Sequence, residues 1–166
     1  MMEREPYAIR GKRVPYLSDS YISKVANAVA SFYGINRKTA KHLGLFMEDV
    51  QNLGPVEIVI DVVSDDHPRM PKLVKAYCDP KAAKITLRNN LYIRITDGDM
   101  DAAHTLFHEL GHLFLMHDPT LHNEPEESPC RNEDSEYQAD RFADRIMQKI
   151  AGKNWREGDA QLELFK

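Results

Sequence analysis

Cysteine is scarce in this 166-residue chain, and so are tryptophan and long apolar runs. The two cysteines, Cys78 and Cys130, stand far apart and supply no disulfide framework, so a reducing cytoplasm is the expected home and both thiols are expected to be free. No hydrophobic stretch is long enough to cross a membrane, and residues 1–6 lack the apolar core of a secretory signal. Basic charge is also short: 22 Lys and Arg face 26 Asp and Glu, a net charge of -4 that argues against a broad nucleic-acid surface. The deficit is local. From Asp97 to Asp140 there are twelve acids and one base, Arg131, a run that attracts a divalent cation and repels phosphate. The cluster Arg10, Lys12 and Arg13 is too short to offset it. With 42% hydrophobic residues the chain can make one compact domain, but hardly two with separate cores.

Inside the acidic run lies His108-Glu109-Leu110-Gly111-His112. Two imidazoles four residues apart on a helix point the same way and can grip one metal ion, and the carboxylate between them is placed to take a proton from a water that the ion activates. The setting is helical: Ala103, Leu106, Phe107, Leu110, Leu113, Phe114 and Met116 recur at three- and four-residue steps, which predicts one amphipathic helix over about 99–117. Asp97, Asp99 and Asp101 mark its start and Asp118-Pro119 its stop.

A third protein ligand is needed. In peptidases with a long helix and a nearby third histidine, a glycine breaks the helix three residues after the second ligand, but Leu115 holds that place and Asp118 stands where the histidine would be. His104 shares the face of His108 and His112, yet lies a full turn too early for tetrahedral closure, so a surface or supporting role is expected. Cys130 is a remote candidate. Glu136 is the strongest, because it opens a second amphipathic run and falls on the inward side with Ala139 and Ala143, where a carboxylate is costly to bury without a cation or donor. The alternative is an ordinary acid in a first helical turn. One turn on, Asp140 could accept a hydrogen bond from the free ring nitrogen of a ligand histidine; a surface ion pair with Arg141 or Arg145 competes with that reading.

Elsewhere, a flexible leader is expected to about Leu17, then a helix over 18–33 with Ile22, Val25, Ala26, Val29 and Phe32 inward, ended by Gly34. A second helix is expected over 37–53, with Leu43, Phe46, Met47 and Val50 inward. Neither shows a basic reading face, so the pair reads as core-forming rather than DNA-binding. Strands are expected over 56–63, 73–78, 83–87 and 91–95, forming a small, mainly antiparallel sheet whose edge could hold an extended peptide. Residues 118–133, with three prolines, read as a loop that either gates the site or merely connects two helices.

The His108–His112 motif together with Glu136-x-x-Ala139-Asp140-x-Phe142-Ala143 resembles the ImmA/IrrE family of zinc metallopeptidases, and Pro15-Tyr16-Leu17-Ser18, a helix, strands and then the metal helix follow that family's order. The resemblance implies a single α+β domain of zincin type over 1–155. It also implies Zn2+ held by His108, His112 and Glu136, with Glu109 as general base, and cleavage of a DNA-binding transcriptional repressor that frees mobile-element or stress genes. One departure concerns the histidine that often follows the motif. Here it is His117, one residue later than that pattern, and it is assigned no role. Tyr92, His104 and Tyr137 are available to stabilise an oxyanion. The rival reading is a metal-stabilised binding module, an antirepressor or toxin–antitoxin partner, that sequesters a regulator without cutting it. In the tail over 156–166, expected to be flexible, Gln161, Leu162, Leu164 and Phe165 resemble the motif that docks on the bacterial DNA polymerase sliding clamp; a terminal helical turn packing Leu162 and Phe165 on its own domain is the alternative.

Overall fold

The computed structural model describes residues 7–117 and 129–155. The proposed clamp-binding tail and most of the expected 118–133 loop lie outside these residues. Five α-helices and a three-stranded mixed sheet make an α+β fold among the described residues, none of whose helices is long and apolar enough to cross a membrane.

Helix α1 (Asp19–Tyr33) starts where the Ser18 side chain accepts from the Tyr21 amide, and it ends at Gly34, whose φ of 64° turns the chain left-handed. Its buried stripe is Ile22, Ala26 and Ala30, at four-residue steps, whereas Phe32 is 59% exposed. Val25 and Val29 pack against the core as expected, so the inward face differs from the expected one only in ending on Ala30 in place of Phe32. The second helix is split. Asn36 and Thr39 form a reciprocal capping box that tightens Arg37–Lys41 into a 3₁₀ turn, and α2 (Leu43–Asn52) follows, burying Leu43, Phe46, Met47 and Val50.

Strands β1 (Val59–Val63), β2 (Ala76–Asp79) and β3 (Lys84–Arg88) lie in the order β1-β3-β2. The β2–β3 pair is antiparallel, as its short link requires, but β1 runs parallel to β3. Residues 64–83 between those two are long enough for a crossover, so the expected mainly antiparallel sheet is instead mixed. The expected fourth strand over 91–95 is a helix, α3 (Asn89–Thr96). Leu91, Ile93 and Ile95 alternate as a strand would, but only Leu91 and Ile95, one helical turn apart, are buried, while Ile93 is 46% exposed.

Helix α4 (Met100–Phe114) is capped by Asp99, which accepts from the Ala102 amide. It stops short of the expected end: Met116 takes a φ of 54°, and the His117 amide donates back to the His112 carbonyl at 3.0 Å. Helix α5 (Ser135–Ala151) packs along α4, and Gly111 sits at their crossing. A Cβ there would meet the Ala139 Cα and carbonyl oxygen at 3.2 Å and the Phe142 ring at 3.1 Å.

The expected flexible leader is bound in place. Val14 is buried, its amide donates to the Glu133 carbonyl, and the Leu17 amide donates to the Asn132 carbonyl. Asp134, fully buried, accepts from the Tyr7 hydroxyl and from the amides of Arg10, Gly11 and Glu136, so one carboxylate ties the leader to the start of α5. Gly111→Val is expected to destabilise the fold by about 1–3 kcal/mol by overpacking against the α5 backbone. A urea midpoint equal to that of the parent would contradict this account of the crossing.

Candidate metal centre

Four residues apart on α4, His108 and His112 turn their Nε2 atoms to within 3.1 Å of each other. Glu136, in the first turn of α5, reaches both: Oε2 lies 2.8 Å from His108 Nε2 and Oε1 lies 3.2 Å from His112 Nε2. The three residues form a group that could hold a metal ion. Their donor set suits a divalent transition metal. The atom separations approach the edge of about 3.3 Å that follows from tetrahedral bonds of about 2.0–2.1 Å, so little rearrangement is needed.

Geometry behind the ligands is equally specific. His108 Nδ1 donates to Asp140 Oδ1 at 2.7 Å, which leaves Nε2 to face Glu136. Asp140 is in turn met by the Arg10 guanidinium at 3.2 Å, rather than by Arg141 or Arg145. Burial pulls the His108 pKa down, but the hydrogen bonds to Asp140 and Glu136 outweigh it and raise the value to about 10. The His108 imidazole first, and the His112 imidazole second, hold Glu136 far below the ordinary carboxylate range. Without a metal, then, a proton on His108 supplies the positive charge between the acids.

Glu109 points the other way on the pKa scale. It is 8% exposed, and burial raises its pKa despite the nearby imidazoles. It lines a cleft of about 440 Å³ together with His108, His112 and Glu136. The far wall comes from β2, where Ala76, Tyr77 and Cys78 line the same space, and the leader contributes Gly11 and Lys12. Burial and the charge of Glu109 push the Cys78 thiol up to about 12, which keeps it protonated.

Gly11 presses on the third ligand. A Cβ at that position would come within 2.5 Å of Ser135 Oγ and 2.7 Å of Glu136 Cγ, so only glycine lets the leader lie against the Glu136 stem. Backbone bonds lock this contact, with the Lys12 amide donating to Ser135 Oγ and the Ser135 amide to the Lys12 carbonyl.

Several expectations meet a different arrangement. His104 is buried, bonded to Asp144 at 3.0 Å and stacked on Trp155, outside the three-residue group. Tyr137 donates to Asp19, and none of Tyr92, His104 and Tyr137 lines the cleft, so the polar groups bordering it are Lys12, Tyr77, His117 and Ser135 instead. Cys130 is exposed at the start of a short turn. His117, assigned no role from the sequence, places its Nδ1 2.8 Å from His112 Nδ1. Its one signal is position: a histidine just past the end of a helix can fold back on the last turn. Likewise Arg10 meets Asp140 across 130 positions and Lys12 meets Ser135 across 123. Comparison with protein-family models, curated proteins and solved structures found no match for this chain.

The paired shifts set a pH profile for the metal-free protein. His108 is raised from 6.5 to about 10, so its contribution is complete below pH 6.5 and is lost as pH rises through 10. His117 is lowered from 6.5 to about 4, chiefly by burial, so its contribution holds above 6.5 and is lost as pH falls through 4. Urea midpoints measured with a chelator present are expected to fall on both sides of pH 6.5. A midpoint flat from pH 7 to 10 would contradict the His108 ion pairs.

Proposed function

We propose that this chain is a zinc-dependent endopeptidase of the ImmA/IrrE kind, with a zincin-like fold, that acts on a DNA-binding repressor. The observation that carries the reading is the convergence of His108, His112 and Glu136 beside a buried Glu109, at a cleft walled by an edge strand. A purely structural ion has no need of that second carboxylate.

When bound, zinc would supply Lewis acidity to a water and to the scissile carbonyl. The remaining work falls to the protein. Glu109, its proton affinity raised by burial, accepts the proton of the attacking water and returns it to the departing amine. Strand β2 has β3 on one side only, and it lies beside α4, so its other edge offers main-chain donors and acceptors to an extended peptide in the cleft. Lys12 borders this space and can meet negative charge that develops on the substrate. The acidic stretch of sequence from Asp97 to Asp140, which contains the site residues, favours a basic target, a common property of DNA-binding repressors.

Zinc-loaded protein incubated with the repressor encoded beside it is expected to yield two fragments by mass spectrometry. Glu109→Gln is expected to slow this by about 10²–10⁴-fold while zinc binding persists. Binding of the repressor with no cleavage by either form would replace the enzyme with a sequestering module.

A further inference from the structure

Behind His112 runs a chain of hydrogen bonds that ends on two backbone carbonyls. Gln138, fully buried on α5, uses its amide nitrogen to donate to the Pro15 carbonyl at 3.0 Å and the Asn132 carbonyl at 2.6 Å. A carbonyl oxygen only accepts, so the orientation of this amide is fixed and Oε1 is left to face His117. His117 Nε2 lies 2.7 Å from that oxygen and must be the donor. In a neutral imidazole the other nitrogen is then a bare acceptor. That nitrogen, His117 Nδ1, faces His112 Nδ1 at 2.8 Å, so the proton between them belongs to His112. In the neutral ring, His112 Nε2 then carries the lone pair; it can accept from His108 Nε2 at 3.1 Å, and Glu136 Oε1 lies 3.2 Å away.

We propose that Gln138 and His117 are positioning residues that set the tautomer of His112 and hold its Nε2 available for a metal ion, an inference that rests on the metal-centre reading above. The two ligand histidines are served differently. His108 is backed by the carboxylate of Asp140, whereas His112 is backed by a neutral imidazole and a neutral amide, so its outward-facing nitrogen is fixed without adding negative charge. The turn at Met116, with its positive φ and the His117 amide bonded to the His112 carbonyl, is what brings the relay imidazole beneath the ligand. Reversing any link passes along the chain. If His117 carried its proton on Nδ1, His112 would have to accept it there and place its own proton on Nε2, where it blocks coordination.

Long-range ¹H–¹⁵N spectra of the full chain, metal-free and with zinc(II) added, report which ring nitrogen bears the proton. His112 protonated on Nδ1 and His117 on Nε2 in the metal-free protein is the expected result; His112 protonated on Nε2 would overturn the relay. Gln138→Leu removes the acceptor of His117 and is expected to give mixed tautomers at both rings and a 10- to 100-fold loss of zinc affinity by competition titration. Tautomers and affinity equal to the parent's would also overturn it. Should that variant fail to fold, the parent spectrum still decides. Expected tautomers in a parent that binds no zinc would uphold the relay and defeat the metal reading, so the two failures are distinct.

Discussion

Close approach of α4 and α5 is the constraint on which the site depends. Gly111 lies between the two imidazole-bearing turns, and the missing side chain lets the Ala139 backbone come into contact. That approach brings Glu136 and Asp140 to His108, and Gln138 to His117. Small residues at the crossing and acids flanking it belong to a single packing solution. A wider helix pair would keep both histidines and lose the third donor.

The buried polar groups around the site are tolerated because they are answered, whereas Thr86 Oγ1 on β3 is buried with no hydrogen-bond partner. Asp134 is buried with four donors, Gln138 is buried between two carbonyls and an imidazole, and Glu136 meets both ligand rings. Burying such groups without partners would cost several kcal/mol each. The leader is thus part of the site's foundation: it supplies donors to Asp134 and a flat surface, at Gly11, against Glu136.

What could be read from residues alone was what repeats locally. Helical spacing exposed α4 and α5, and the same spacing put His108 and His112 on one face with Glu136 inward. Alternation misled over 91–95, since Leu91, Ile93 and Ile95 satisfy a strand pattern while the packing needs only the first and last. Long-range partners left no periodic trace. Nothing near Arg10 or Gly11 announces Asp134 or Glu136, and His117 gains meaning only from the left-handed turn at Met116 that points it back. Parallel pairing of β1 with β3 was hidden for a related reason, because it is decided by how a long connection folds rather than by either strand.

The seam between the leader and the start of α5 has a consequence for how the molecule is made. Its contacts join residues more than a hundred positions apart, so during synthesis the leader emerges long before Asp134 and Ser135, to which it binds. A chain made only as far as α4 can display His108 and His112 but lacks Glu136. The three-atom grip closes only when α5 has been made and has docked on α4.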